Sequence, residues 1–450
     1  MFLYIIYMSL QNINRKLEIK NVGPIKAVEF DINKVNLFIG PQGSGKSTIA
    51  KIISFCFWLE KNSILHQSID HIDGDFFKEN LLVFHKLDNY ISKDSLIKYS
   101  GNVISFEYKR NEVVFVKKES LFDDAVVSKI AYVPAERVIA SIPEIQSVSF
   151  PNHCLRNFLF EWFSVRNKYT PKNKLDISNL GVSYYFDSDS KKDVLVLENN
   201  KEVILQESSS GMQAAVPLYI LLDYFTKWIY SHAEDVSFNK KDLISSALVK
   251  RFFRSKDKKK PSFFDKLNFS DKDLKDMMPN LLDISMSLKG ALGGNTFLDK
   301  FLELNEKLGV SHFSNIVIEE PELNLFPATQ VSLVYDILKS IKHDRDNIVI
   351  TTHSPYILYA LNNCMQAYFA DEKDSKTVKD LMTELSFGKE SFIDPKVVSV
   401  WELEKGKFRK YNNDNSNETI QDVNGMIRKN YFDTAMQNVM VDFSILNSIS

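Results

Sequence analysis

Between Lys16 and Gly40 the apolar residues fall in three short bursts, KLEIKNV, KAVEFDI and VNLFIG. The first two are interrupted by polar residues in the way of half-buried strands, and the third is nearly continuous, as a strand buried on both faces would be. The third runs straight into GPQGSGKSTIAKIISFCFWL, so the pattern predicts strand, glycine-rich turn, helix. Residues 60 to 100 carry helical spacing. NVISFEYKRNEVVFVKK (102 to 118) predicts a hairpin turning at Lys109 to Asn111, and VSKIAYVPAERV (127 to 138) a further strand followed by irregular, Pro-, Ser- and Asn-rich sequence. A second hairpin, DVLVLENNKEVILQE (193 to 207), turns at Asn199-Asn200 and delivers the chain to a serine run and the helix MQAAVPLYILLDYFTKWIY. Pro217 falls near its first two turns, where proline is tolerated best. Residues 231 to 312 read as helical, and SNIVIEEPELNLFP and DNIVITTHSPYIL as apolar strands that end abruptly in polar residues. A strand pair, KVVSVWELEKGKFRKY (396 to 411), and a helical tail close the chain.

With 450 residues and 44% hydrophobic composition, the chain can bury a large core divided into two or three units. Lys+Arg 56 against Asp+Glu 58 leaves a formal charge of -2, so no global basic field favours nucleic acid. The local exception is KRFFRSKDKKK, Lys250 to Lys260, with seven Lys/Arg in eleven residues and two interleaved Phe. It is either a grip on a phosphate backbone or a solvated basic loop. Cys56, Cys154 and Cys364 lie far apart, which argues against zinc and a disulfide framework and for a reducing cytoplasm. The opening MFLYIIYMSL is too short to span a bilayer and lacks signal-peptide flanks; Met8 is a second candidate start beside Met1. A soluble protein with no membrane contact is expected.

Three stretches carry chemistry. Gly40-Pro41-Gln42-Gly43-Ser44-Gly45-Lys46-Ser47 matches G-x-x-x-x-G-K-[ST] between a strand and a helix. Its glycines would let backbone N–H groups, with Thr48 continuing the first turn, converge on phosphates, while Lys46 reaches the β/γ-phosphates and Ser47 a magnesium ion. NIVIEEPELNLFP ends a buried strand in Glu319 and Glu320, one acid for Mg²⁺ and one for the attacking water. NIVITTHSPYIL places His353 at another strand end, 33 residues beyond Glu320, where it would reach the γ-phosphate.

Taken in this order, the motifs resemble the ABC-type ATPase heads of the SMC and RecF class, over residues 16 to 60 and 130 to 415 apart from the insert. The resemblance implies an α/β P-loop NTPase head with a RecA-like core, an antiparallel β subdomain and an inserted helical subdomain. The expected division is 1–230, a helical and locally basic insert at 231–312, and 313–450. It also implies ATP and Mg²⁺ as ligands, Ser47 and Glu319 at the metal, and Glu320, His353 and Lys46 in catalysis. Ser209-Ser210-Gly211-Met212-Gln213 aligns with the L-S-G-G-Q signature, so Ser210, Gly211 and Gln213 would bind the γ-phosphate of ATP held by a second subunit. Met212 in place of a glycine and Glu319 in place of the commoner Asp are departures. No clear Q-loop glutamine follows KIAYVP; Pro134-Ala135-Glu136-Arg137 stands there and resembles a motif of bacterial defence ATPases, which places Glu136 and Arg137 either near the site or in a structural ion pair.

The 164 residues between Lys46 and Ser210 lack sustained heptads, which excludes a long SMC arm. The signature and Glu319 are about 106 residues apart, too far for a transporter ATPase, and the roughly 97 residues after His353 read mostly as strand pair and tail, without a Toprim nuclease. The resemblance therefore narrows to stand-alone ATPase subunits of OLD-like anti-phage systems, the AriA-type ATPase of PARIS first and PtuA-type ATPases next. It implies a homo-oligomer that holds a Toprim or HNH effector nuclease and responds to a phage protein. A RecF-like repair ATPase is the alternative.

Overall fold

The computed structural model describes residues 15–118, 125–232, 237–253, 297–341, 343–409 and 419–447. The choice between Met1 and Met8, most of the Lys250 to Lys260 run and the middle of the insert lie outside the described residues.

The described residues open with β1 (Arg15–Val22), β2 (Ile25–Ile32), β3 (Val35–Ile39) and α1 (Lys46–His66), followed by β4 (Ile91–Ser100), β5 (Ile104–Lys109), β6 (Glu112–Lys117) and β7 (Ser128–Val133). Next come α2 (Cys154–Arg166), β8 (Leu175–Ile177), β9 (Val182–Asp187), β10 (Lys192–Leu197), β11 (Glu202–Ile204) and α3 (Ser210–Asp223). After α4 (Phe238–Phe253) and α5 (Phe297–Gly309) the sheet resumes with β12 (Phe313–Glu319), α6 (Pro327–Ser340), β13 (Asn347–Thr352) and α7 (Pro355–Leu381). The final elements are β14 (Val398–Glu404), β15 (Lys407–Phe408) and α8 (Tyr431–Asn447).

One eleven-stranded sheet runs β6-β5-β4-β1-β2-β15-β14-β3-β13-β12-β7. Its β14-β3-β13-β12-β7 part is parallel, and β6 to β2 form an antiparallel wing. A separate antiparallel sheet runs β11-β10-β9-β8. The antiparallel part thus continues the main sheet, with β15 joining the two.

The parallel strands are buried on both faces, and successive residues divide between two cores. Leu37, Ile316, Ile318 and Ile350 face Trp162 of α2, Leu221 of α3 and Ile357 of α7. Phe38, Val317 and Val349 face the other way, onto Ile49 and Ile53 of α1. Ile244 and Leu248 of α4 and Leu304 and Leu308 of α5 belong to this second core, so the insert's described ends are seated in the head. Among the described residues no helix is long and apolar enough to cross a membrane.

Three expectations need correction. Residues 91–100 are the strand β4 and not helix: Ser95, Ile97 and Tyr99 point inward while Lys93, Asp94 and Lys98 face solvent, a pattern diluted by polar residues. The stretch after β7 is not irregular throughout, since it holds α2 and β9. The region after His353 is more than strand pair and tail, because α7 fills 355–381 against the core.

Candidate functional site

The β3–α1 turn is built on positive-φ backbone. Gly40 (φ 145) passes so close to β14 that a Cβ there would lie 2.5 Å from the Leu403 carbonyl oxygen. Gly45 (φ 107) is the N-cap of α1, and its Cβ would meet Ile25 Cγ1 at 2.7 Å. Only glycine fits either position. Among the described residues no side chain caps α1, so its first-turn N–H groups stay available to an anion. The Ser44 hydroxyl, within the turn, is buried without a partner among the described residues.

The buried Lys46 ammonium is folded back on this turn, donating to the Gly40 carbonyl (2.9 Å) and the Pro41 carbonyl (3.0 Å), with His353 Nδ1 at 3.5 Å. Burial pushes its pKa down to about 8, opposed by the charges of Glu320, Glu322 and Glu319.

β12 is buried at every position and brings Glu319 to its end. The Glu319 carboxylate accepts from the Tyr132 hydroxyl of neighbouring β7 and from the Ser47 hydroxyl at the start of α1. Burial raises its pKa, against these two bonds. Glu320 then adopts a left-handed conformation (φ 45), rare outside glycine, while its N–H continues the ladder to the Thr351 carbonyl at 2.8 Å. Its carboxylate lies 3.5 Å from His353 Nε2, and that contact is the largest cause of its lowered pKa. With Nδ1 accepting from Lys46, the Nε2–H of His353 is directed at Glu320.

A third acid belongs to the same cluster and was not among the expected site residues. Glu322 accepts the backbone N–H of His353 at 2.6 Å, while its second oxygen is buried without a partner among the described residues. Burial raises its pKa. The glutamate that follows the proline in EEPE was the available signal.

Arg137 joins this cluster to α3. Fully buried, it donates to the Ala214 carbonyl of α3 (3.0 Å) and to the carbonyls of Glu319 (2.9 Å), Glu320 (2.8 Å) and Pro321 (3.1 Å). Of the two expectations for Arg137, its bonds fit proximity to the site: the partners are backbone carbonyls. Glu136 is exposed, and its charge raises the pKa of Glu319.

At α3 the N-cap is Ser209, whose hydroxyl accepts from the Met212 N–H at 3.4 Å, and Ser210 is the exposed first residue. A Cβ on Gly211 would meet the Asn324 carbonyl oxygen at 2.8 Å, so this helix start lies against the loop after β12. The Gln213 amide donates to the Gln206 (2.8 Å) and Ser208 (3.0 Å) carbonyls and braces the approach to the helix. The fold therefore gathers Lys46, Ser47, Glu319, Glu320 and His353 at one end of the parallel strands. Ser210 has no hydrogen bond to the β3–α1 turn among the described residues.

A triphosphate and its magnesium fit what is present. The glycine turn leaves room and N–H donors for anionic oxygens, the Ser44 hydroxyl lacks a partner, and Ser47 and Glu319 meet as a hydroxyl and carboxylate pair of the kind a hard cation takes.

Comparison with protein families matches residues 16–123 to the AAA domain family. A comparison with characterised proteins found no match. Among solved structures, the chain is similar to the SMC head domain from Thermotoga maritima, at 12% identity over 78% of this chain and 92% of that one, TM-score 0.34. It is also similar to the recombination mediator RecF of the RecFOR pathway (10% identity, 88% of this chain and 98% of that one, TM-score 0.26). A dimeric, post-hydrolysis ATP-binding cassette bound to ADP and Pi gives 12% identity over 88% and 97%, TM-score 0.24.

Proposed function

We propose that the chain is an ABC-type ATPase that closes two copies of itself around ATP. The carrying observation is the convergence of Lys46, Ser47, Glu319, Glu320 and His353 on one glycine turn, and the AAA domain match over residues 16–123 supports it. Lys46 exchanges the Gly40 and Pro41 carbonyls for β/γ-phosphate oxygens, beside the N–H groups of the α1 first turn. Ser47 and Glu319 would hold Mg²⁺, which when bound neutralises charge on the β- and γ-phosphoryl oxygens. Glu320, held ionised beside His353, orients the attacking water and takes its proton, while the Nε2–H of His353 points to the transferred group's side. Ser210 of the partner subunit and the helix start behind it complete the anion site from across the interface.

The experiment is ATP turnover with light scattering on the full chain. Lys46→Ala abolishes turnover, and Glu320→Gln slows it by about 10²–10⁴-fold, the usual worth of a positioned base, while accumulating an ATP-bound dimer. Turnover at the wild-type rate in Glu320→Gln contradicts the proposed role of that acid.

The finer reading is that this ATPase serves an anti-phage complex, holding a Toprim nuclease, or next an HNH nuclease, until a phage protein appears. Its support is Pro134-Ala135-Glu136-Arg137, together with a C-terminal region occupied by α7, β14, β15 and α8. Co-purification with a nuclease encoded beside it favours this reading. ATPase stimulated by DNA and falling steeply with salt favours the RecF-like alternative, which rests on the Lys250 to Lys260 run.

A further inference from the structure

β7 is the last strand of the large sheet, and among the described residues no strand pairs with its outer edge. An unpaired edge presents a row of N–H and C=O groups that proteins normally cover, twist away or charge. Here a groove of about 570 Å³ runs beside it, lined by Lys129, Ile130, Ala131, Tyr132 and Val133 in succession. Successive side chains of a strand point to opposite faces, so a groove touching all five lies along the backbone edge itself. Phe55 and Trp58 of α1 form one wall, and Phe158 and Phe160 of α2 form part of the other.

The floor supplies a second sign of a missing partner. His85 lines the groove, is 3% exposed, and its Nδ1 is buried without a hydrogen bond among the described residues. Burial pushes its pKa down to about 3, so the ring is neutral and offers one nitrogen to an incoming group. The Cys154 N–H donates to the Phe84 carbonyl at 3.2 Å, tying the start of α2 to the segment that carries His85.

We propose that this groove binds an extended peptide segment of a partner protein as an added strand on β7, with apolar side chains on both faces of the segment. The edge calls for a backbone ladder, the aromatic walls on either side call for apolar residues at successive positions, and β7 at roughly 3.3 Å per residue accommodates about four to six residues. A small molecule would leave most of that edge unpaired. The segment also reports to the ATP site: Tyr132, in the groove, donates its hydroxyl to Glu319, so fixing β7 fixes the metal carboxylate. This coupling rests on the reading of Glu319 as a metal residue; the docking does not.

The test uses the full chain and a phage-displayed library of random dodecapeptides, with the selected sequences synthesised as probes. Bound probes slow hydrogen exchange at residues 128–133. Asn157→Trp and Ser164→Trp, exposed α2 positions that line the groove, weaken binding at least tenfold and leave basal ATPase and melting unchanged, while Asn157→Ala binds normally. Failure to select a peptide, selected peptides that bind without protecting 128–133, or binding indifferent to both tryptophans overturns the docking. Protection that rises with protein concentration alone assigns the edge to a second copy and also overturns it. Occupancy is expected to shift the Mg²⁺ concentration for half-maximal ATPase at least threefold. Protection without that shift overturns the coupling alone, and protection in a chain with no ATPase counts against the proposed function and not the docking.

Discussion

Arg137→Met removes one planar donor set and keeps most of the side-chain volume. In the wild type that guanidinium holds the Ala214, Glu319, Glu320 and Pro321 carbonyls at 2.8–3.1 Å and the Pro134 carbonyl at 3.4 Å. Each buried acceptor left without a donor costs about 1–3 kcal/mol. The variant recovers part of this, because Arg137 itself is costly to bury: desolvation pushes its pKa down to about 10 against the pull of Glu322, Glu320 and Glu319. The balance is a loss of about 3–5 kcal/mol, typical of removing one partner from a buried polar set. Arg137→Lys keeps the charge but lacks the fork that spans α3 and the β12 loop, and should lose about 2 kcal/mol. Urea unfolding measures the stability, and steady-state ATPase at a temperature where both variants are folded measures the consequence. The expected kinetic signature is a fall in kcat with little change in KM, since the Glu320 backbone is released while the glycine turn is untouched. An unfolding free energy within about 0.5 kcal/mol of wild type together with an unchanged kcat would refute the reasoning that Arg137 holds the Glu320 backbone in place.

Two further outcomes follow from the same geometry. Lys46, with a pKa of about 8 in the free protein, must be charged to hold phosphate, so nucleotide binding at pH 8.5 takes up about three-quarters of a proton, and affinity falls as pH rises above that pKa; calorimetry in buffers of different ionisation heat reads the uptake, and none at pH 8.5 contradicts the burial argument. Gly211→Ala drives a Cβ against the Asn324 carbonyl oxygen, 2.8 Å away, and is expected to reduce turnover at least tenfold while leaving ATP binding to the isolated subunit intact, as measured by equilibrium dialysis.

What could be read from the sequence was the placement of glycines and polar residues at strand ends, fixed by local spacing. The glycines of the β3–α1 turn, the acids ending β12 and the histidine ending β13 are each set within a few residues of a strand end, so their pattern survives without knowledge of the fold. The misses have other causes. In α2, Cys154, Phe158, Leu159, Trp162 and Val165 are buried at helical spacing, but the preceding Pro- and Asn-rich sequence masked it. β4 is half polar because only one face meets the core. Arg137 was visible as a residue but not as a connector, since its partners are main-chain carbonyls contributed by two segments distant in sequence, and carbonyls have no sequence signature.

The same distinction resolves the departure at Met212. Met212 stands where the signature has a glycine, and its side chain is partly buried against the core. The position that tolerates no side chain is Gly211, pressed on Asn324, while Ser210 stays exposed at the helix start. A methionine at 212 therefore adds apolar contact behind the proposed anion-binding face and leaves that face to Ser210 and the first-turn N–H groups. Because Arg137 and Asn324 join this helix start to the same loop that carries Glu320, the proposed closure of a second copy on Ser210 would be felt at the Glu320 carboxylate through main-chain contacts, without any movement of the glycine turn.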